Sequence, residues 1–268
     1  MSEKAKRLAG QSAIVTGAGR GIGRVLALTL ADEGARVAVS GRNVENLEAV
    51  ADEIRSAGGE AAAIACDVTR RDQAEHLAEK TLETYGANDL LVNNAGIPSP
   101  VGLLVDVEET DWEAVMETNV KGVFLVTRAV LPAMMEKKTG HVVTVSSMAG
   151  THQSRNAATI PYSVSKWAVE GFTHTMAMQM KDYGIRFNNI VPGPTLNDFQ
   201  KGRSTVERLM SFPGGMRRSE WVADSFRCLV CESGNLTGGH VSAPEWDAEN
   251  GIAREPISEA EIRAFLEG

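Results

Sequence analysis

Thr16-Gly17-Ala18-Gly19-Arg20-Gly21-Ile22-Gly23 is the stretch that decides the fold of this 268-residue chain. It follows the apolar run Ala13-Ile14-Val15 and leads into a segment with apolar helical periodicity. Glycines let a backbone turn tightly and approach a pyrophosphate closely, and the helix that follows offers free N–H groups to that anion. Because glycine also closes ordinary turns, it is the position between strand and helix that indicates a nucleotide site.

The same alternation of apolar strands and amphipathic helices continues along the chain and predicts βαβ units with a parallel sheet. Seven strands are predicted, at 13–16, 36–40, 61–66, 90–93, 141–146, 186–191 and 240–242. Helical periodicity runs over about 22–33, 43–57, 70–85, 111–136, 162–183 and 219–231. The sequence therefore predicts one α/β domain over 1–268, a Rossmann-type doubly wound sheet with helices on both faces.

Two segments interrupt this alternation. Residues 192–218 are rich in Gly, Pro, Ser and Arg and are too long for a plain connection, so we expect a substrate lid there. The other is a C-terminal extension over about 244–268, where Ser258 and Glu261 have the spacing of a capping box that opens a last short helix.

Charge and composition exclude several classes of protein. A formal net charge of −8 argues against binding to nucleic acid, which needs a concentrated cationic face. The sequence has neither a run of 18 apolar residues nor a secretory signal, so we expect a cytoplasmic protein that does not enter membranes. Cys228 and Cys231 form a CxxC, but they lie in an amphipathic helical segment without a second ligand pair, which favours packing over a metal site.

The glycine spacing resembles the TGxxxGxG of the short-chain dehydrogenase/reductase family. Further motifs follow in the family's order: Asp67-Val68, Asn93-Asn94-Ala95-Gly96, Asn119, Ser147, Tyr162-x3-Lys166 and Pro192-Gly193. The resemblance covers about residues 10–242. It implies a reversible hydride transfer between a nicotinamide cofactor and a secondary alcohol or ketone.

The spacing of the YxxxK pair also predicts its chemistry on physical grounds, independently of the resemblance. Tyr162 and Lys166 are four residues apart and lie on one helix face, so the ammonium can approach the phenol. A nearby cation favours the phenolate, which predicts a lowered tyrosine pKa and use as a general acid or base. Ser147 ends a strand, where parallel sheets collect ligand contacts, and can hydrogen-bond a substrate oxygen.

The resemblance assigns roles to these residues. It implies that Tyr162 exchanges the proton, Ser147 orients the substrate oxygen, Lys166 holds the nicotinamide ribose and tunes Tyr162, and Asn119 supports a water-linked proton relay. Ser146 is the alternate candidate for the serine, and Thr195 and Asn197 both remain candidates for the contact to the carboxamide. The cofactor-binding residues so expected are Gly17, Gly19, Arg20, Gly21, Ile22, Gly23, Ser40, Arg42, Asp67, Val68, Asn94, Ala95, Gly96, Tyr162, Lys166, Pro192, Gly193 and Thr195.

The residues after the second strand bear on the choice of cofactor. An NAD(H) site of this type needs a carboxylate there, but the chain has Ser40-Gly41-Arg42-Asn43. Arg42, with Ser40 and Arg20, can bind a 2′-phosphate, which favours NADP(H) while leaving NAD(H) possible. The alternative interpretation is that Arg20 only covers the start of the helix and that Arg42 is a solvated loop residue.

Two hypotheses for the function follow. The first is a dehydrogenase or ketoreductase, and the second is a catalytically silent nucleotide-binding regulator or scaffold on the same fold. Only the first needs the full set Asn119, Ser147, Tyr162 and Lys166. The resemblance also implies a homotetramer or homodimer through helices 111–136 and 162–183. Substrate identity is open, because the lid arginines 203, 208, 217 and 218 are as compatible with solvation as with anion binding.

Overall fold

Seven parallel strands form one sheet in the order β3-β2-β1-β4-β5-β6-β7. Their bounds are Ser12–Thr16 (β1), Arg36–Gly41 (β2), Glu60–Ala65 (β3), Leu90–Asn93 (β4), Gly140–Val145 (β5), Ile185–Val191 (β6) and Gly239–Ser242 (β7). The structure, a computed structural model, describes residues 6–151, 159–197, 200–201, 204–212 and 214–267. The strand order reverses between β1 and β4, which places the crevice for a ligand at the carboxyl ends of those two strands.

Ten α-helices are found in the described ranges. They are Gly21–Asp32 (α1), Val44–Ser56 (α2), Arg71–Tyr85 (α3), Glu109–Met116 (α4), Gly122–Lys137 (α5), Ile160–Gln179 (α6), Val206–Met210 (α7), Ala223–Cys231 (α8), Ala243–Glu249 (α9) and Glu259–Glu267 (α10). None of them is both long and apolar enough to traverse a bilayer.

Helices cover both faces of the sheet because the strands are apolar on both sides. In β1, Ala13 and Val15 join a core cluster shared with α1, α2 and α8, while Ile14 joins a second cluster shared with α3, α5 and α6. This alternation along one fully buried strand is the pattern of a doubly wound sheet. The predicted fold class is confirmed, and each strand lies within one residue of its predicted bounds.

The predicted helix 111–136 is one continuous helical run of three parts. A π-helical turn, Glu117–Lys121, separates α4 from α5, and such turns are frequent at functional sites. The predicted helix 219–231 likewise begins with a 3₁₀ turn, Ser219–Val222, before α8. Cys228 and Cys231 lie on α8 as half-buried thiols, and Cys231 packs against the core cluster of α1, α2 and α8.

The C-terminal segment is built against the lid. The capping box is confirmed: the carboxylate of Glu261 accepts from the backbone N–H and the hydroxyl of Ser258, at 3.1 and 2.7 Å. From α10, Ile262 packs with Leu209 of α7 in a small apolar cluster that also contains Met216 and Ile257. The C-terminal extension therefore packs against the predicted lid segment rather than extending the sheet.

Candidate active site

A cavity of about 1760 Å³ opens at the carboxyl ends of the strands, where the strand order reverses. This volume exceeds the roughly 300–1,000 Å³ of an ordinary small-molecule pocket, so it has room for two ligands. Residues of the glycine loop, of the strand ends after β2, β3, β4 and β5, of α6 and of the lid all line it. The structure thus brings most of the predicted site residues to one cavity.

The glycine loop is held to the neighbouring strand by Asn94. The Asn94 side-chain amide donates to the carbonyls of Thr16 and Gly17, at 2.9 and 3.1 Å. A Cβ on Gly23 would lie 2.3 Å from the carbonyl oxygen of Gly17, so only glycine permits this approach. Gly17 and Gly21 have φ values of 64° and 54°, in the left-handed region that favours glycine. Asn94 therefore shapes the loop. The sequence alone does not show whether this residue holds the loop or contacts the cofactor directly.

The start of α1 presents donors to the cavity. Its N-cap residue, Arg20, makes no side-chain cap hydrogen bond, and its first turn contains no acidic residue. The positive end of the helix dipole and unsatisfied N–H groups therefore face the loop, which is the donor set that a pyrophosphate requires. The loop and the residues after β4 line the cavity: Gly17, Gly19, Arg20, Gly21, Ile22, Gly23, Asn94, Ala95 and Gly96.

Basic side chains dominate one end of this cavity. Arg20 and Arg42 are exposed and line it together with Asn46. Nearby, Asp67 accepts from the backbone N–H and hydroxyl of Thr69, at 3.0 and 2.8 Å. Burial opposes the charge on Asp67, but these hydrogen bonds and the charge of Arg42 leave its pKa below the usual value. Val68 follows Asp67 on the cavity wall.

Ser40 is an exception among the predicted cofactor residues. It is fully buried, and its hydroxyl lies against the thiol of Cys66 rather than on the cavity wall. Successive side chains of a strand point to opposite faces of the sheet, and the Ser40 side chain points away from the cavity. Gly41 and Arg42, at the end of β2 and just after it, line the cavity. A direct contact between Ser40 and a 2′-phosphate does not fit this geometry.

Ser147 and Tyr162 meet at the catalytic end. Ser147 follows β5 and begins the 3₁₀ turn Met148–Gly150, where its hydroxyl accepts from the N–H of Ala149 at 3.2 Å. The Ser147 side chain also hydrogen-bonds the phenol of Tyr162, which projects from the first turn of α6. Both residues line the cavity, as does Ser146, whose buried hydroxyl is directed differently, toward Glu170.

Lys166 lies one turn further along α6, and its Nζ is 5.5 Å from the centre of the Tyr162 ring. The side chain is buried and donates to the carbonyl of Val145 at 2.8 Å. Burial lowers the pKa of Lys166 from 10.5 to about 8, and the carboxylate of Glu170 partly opposes this. Burial likewise raises the pKa of Tyr162, which the Ser147 hydrogen bond counteracts only in part. The predicted lowering of the Tyr162 pKa is therefore wrong in this structure, because desolvation of the buried phenol raises that pKa.

Asn119 lies in the π-helical turn and is 1% exposed. Its Oδ1 accepts from the N–H of Ile97 at 2.8 Å, and its Nδ2 donates to the Ile97 carbonyl and to the Ser165 hydroxyl, both at 3.0 Å. Both amide hydrogens are thus committed to holding the loop after β4 against α6. The side-chain amide therefore has no free donor for the proton relay that the family resemblance implies.

The turn after β6 closes the site. Gly193 has a φ of 84°, and a Cβ there would lie 2.7 Å from Pro244. Thr195 is 6% exposed, donates to the carbonyl of Gly193 at 3.1 Å and pairs with Arg217 in an isolated bridge. Pro192, Gly193, Thr195 and Asn197 all line the cavity, so the geometry leaves both candidates for the carboxamide contact in place.

Glu170 is a residue that the sequence reasoning missed. Its carboxylate accepts from Asn189 at 2.6 Å and meets Nδ1 of His240 at 3.2 Å. These contacts keep its pKa below the ordinary value despite burial. The sequence could have indicated Glu170, because an acidic residue four positions after Lys166 lies on the same face of the helix.

Comparisons with known proteins agree with this geometry. A family model of short chain dehydrogenases matches residues 11–208. The 3-oxoacyl-(acyl-carrier-protein) reductase FabG of Thermotoga maritima is 40% identical over 241 residues, covering 88% of this chain and 96% of that protein. A 3-oxoacyl-(acyl-carrier-protein) reductase of Synechocystis is 36% identical over 227 residues, covering 84% and 91%. The solved structure of a 7α-hydroxysteroid dehydrogenase in complex with NADH and 7-oxoglycochenodeoxycholic acid superimposes with a TM-score of 0.81 at 31% identity, covering 90% of this chain and 96% of that one.

A doubly wound sheet with a glycine loop at its switch point and a Ser-Tyr-Lys group in the same cavity defines a nucleotide-dependent oxidoreductase. The chain belongs to the short-chain dehydrogenase/reductase family, whose reactions use a nicotinamide cofactor.

Proposed function

We propose that this protein is an NADP(H)-dependent ketoreductase that acts on the 3-oxo group of an acyl thioester or a closely similar ketone. The observation that carries the proposal is the placement of Ser147, Tyr162 and Lys166 in one cavity with the glycine loop. Two similar proteins bear the name of a 3-oxoacyl reductase, which supports this substrate class. The alternative, a silent nucleotide-binding scaffold, has no chemical need for this group of side chains.

The chain's own residues supply binding, orientation and a proton. The reduced nicotinamide, when bound, supplies the hydride that reaches the carbonyl carbon. Tyr162 donates its phenolic proton to the carbonyl oxygen, and Ser147 donates a hydrogen bond to the same oxygen. Since burial raises the pKa of Tyr162, the phenol carries its proton at neutral pH, as a general acid must. Lys166 stabilises the phenolate that is left behind.

The choice of NADP(H) rests on Arg42 and Arg20. Both line the cavity where the chain leaves β2 and enters α1, and neither Gly41 nor Asn43 beside them offers a carboxylate to the ribose. A guanidinium binds a phosphate through two parallel hydrogen bonds, which a second arginine strengthens. Ser40 plays no part in this proposal, because it is buried away from the cavity.

The test is the reduction of acetoacetyl-CoA, followed by the loss of NADPH absorbance. We expect the wild type to reduce this substrate. For Tyr162→Phe we expect kcat to fall by roughly 10²-fold or more, with nearly unchanged NADPH affinity. Tyr183→Phe is the matched control, because Tyr183 lies in a 3₁₀ turn at the far end of α6. A Tyr162→Phe variant that keeps most of its turnover, or a wild type that reduces no 3-oxo substrate, contradicts the proposal.

A further inference from the structure

The structure separates the lid arginines that the sequence cannot tell apart. Arg217 is 8% exposed, and its guanidinium lies 2.5 Å from the carboxylate of Asp247. Arg218 lies 2.6 Å from the carboxylate of Glu261. Arg203 falls outside the described residues. Arg208 is different, because its half-buried side chain lines the cavity and its guanidinium has no hydrogen-bond or ion-pair partner among the described residues.

Arg208 is held in this position by the structure of α7. The N-cap Thr205 accepts from the Arg208 N–H at 3.3 Å, which fixes the start of the helix. The next residue, Leu209, is fully buried against Ile257 and Ile262 of the C-terminal segment. Because Leu209 faces the apolar cluster, the neighbouring Arg208 is turned toward the cavity.

Among the described residues, the cavity wall contains no unpaired carboxylate that would neutralise Arg208. Of the two carboxylates in the described wall, Asp67 is bonded to Thr69, and Glu117 pairs with Lys121 at 2.8 Å. The Arg208 guanidinium is partly desolvated and has no counter-ion among the described residues, on a chain of net charge −8. Such a group is what a binding site for an anion requires.

The segment that contains Arg208 leaves the sheet at a different strand from the one that precedes Arg42. The lid begins after β6, which is the neighbour of the strand that leads to Ser147. Strands β2 and β6 are four positions apart in the sheet, or roughly 19 Å at about 4.8 Å per strand. Phe212, also in the cavity wall near Arg208, gives this part of the wall an apolar surface.

We infer that Arg208 is a specificity-determining residue that binds an anionic group on the substrate, a carboxylate or a phosphate, while the ketone lies at Tyr162. The inference rests on the proposed function, because it concerns the substrate end of the same cavity. An arginine fork pairs with either anion through two parallel hydrogen bonds. The C-terminal helix α10 serves this recognition by holding α7 in place.

The experiment compares three 3-oxo substrates with the wild type, Arg208→Met and the matched control Arg263→Met. Arg263 is an exposed arginine on α10 that pairs with Glu259 at 3.0 Å and is absent from the described cavity wall, so its removal changes the same charge without removing a cavity residue. The substrates are acetoacetyl-CoA, which carries phosphates, acetoacetate, which carries a carboxylate, and the neutral N-acetylcysteamine thioester of acetoacetate.

For Arg208→Met we expect a 10- to 100-fold lower kcat/KM with the anionic substrate, mainly through KM, and an unchanged value with the neutral thioester. A loss confined to acetoacetyl-CoA identifies the anion as a phosphate, and a loss confined to acetoacetate identifies it as a carboxylate. An equal loss on all three substrates, or a loss of the same size in Arg263→Met, overturns the inference, and so does an unchanged Arg208→Met.

Calorimetric titration separates this inference from the proposed function. Acetoacetyl-CoA and acetoacetate are each titrated into the full chain with saturating NADP⁺, which needs no turnover. Weaker binding to Arg208→Met supports the role of Arg208 even where no ketone is reduced. Binding that is equal in the wild type and Arg208→Met, or absent in both, overturns it.

Discussion

Replacing Lys166 by Met should make the protein more stable and inactive at the same time. Lys166 is 7% exposed, and burial lowers its pKa from 10.5 to about 8. At about 1.4 kcal/mol per pKa unit, holding this ammonium in the folded protein near pH 7 costs about 3 kcal/mol. Methionine has a similar length and no charge, so the variant avoids this cost.

One contact is lost in the exchange. The Val145 carbonyl no longer receives the Lys166 hydrogen bond, a loss of about 1 kcal/mol. Glu170 keeps Asn189 and His240 as partners, so its charge is not left alone. The expected net gain is about 2 kcal/mol near pH 7, or a Tm higher by roughly 4–8 °C for a domain of this size.

The gain in stability from Lys166→Met should decrease as the pH rises. Because the pKa of Lys166 is lower in the folded chain, the unfolded chain binds more protons between pH about 8 and 10.5. Stability of the wild type from this group therefore rises with pH through that window. The advantage of Lys166→Met should be full at pH 7 and nearly gone by about pH 10.

The assay is thermal unfolding without cofactor at several pH values. Lys80→Met is the control, since Lys80 is half exposed and pairs with Glu83 on the surface of α3, and it should leave the Tm nearly unchanged. A Lys166→Met variant that melts below the wild type at pH 7, or a Tm difference that does not shrink as the pH rises, refutes the reasoning.

Four further outcomes are expected. Arg42→Asp should shift the ratio of kcat/KM toward NAD(H), because a carboxylate repels a 2′-phosphate and accepts from ribose hydroxyls; an unchanged ratio removes Arg42 from phosphate recognition. Gly23→Ala should abolish cofactor binding, measured by NADPH fluorescence, because its Cβ would lie 2.3 Å from the carbonyl oxygen of Gly17; normal binding would mean that the loop adapts. Phe124→Glu should lower the mass measured by light scattering, because Phe124 is 48% exposed on α5, where we expect subunit contacts; a monomeric wild type ends that idea. Alcohol oxidation should have a higher pH optimum than ketone reduction, because burial raises the pKa of Tyr162; coincident optima argue against Tyr162 as the titrating group.

The fold could be predicted from sequence because its signals are local. Each strand is an apolar run bounded by turn residues, as Val142-Val143-Thr144-Val145 shows in β5. The glycine loop is also local, since the Gly17 and Gly23 positions are fixed by one turn. What could not be predicted depends on distant partners. Arg217 is neutralised by Asp247, 30 residues away, whereas Arg208 has no such partner in the part of the chain that the structure describes, and nothing in the local sequence distinguishes the two.

Charge states at the catalytic group show the same dependence on tertiary structure. Spacing alone places an ammonium near a phenol and suggests that the cation lowers the phenol's pKa. In the folded chain, one desolvated environment acts on both groups: it raises the pKa of Tyr162 and lowers that of Lys166. Both shifts favour the neutral forms, so near neutral pH the phenol retains its proton. A protonated phenol beside Ser147 can give a proton to a carbonyl oxygen at once, but it must lose that proton before it can accept one from an alcohol. Near neutral pH Tyr162 is therefore in the protonated form that a proton donor needs, which is the role that the proposed ketoreductase gives it.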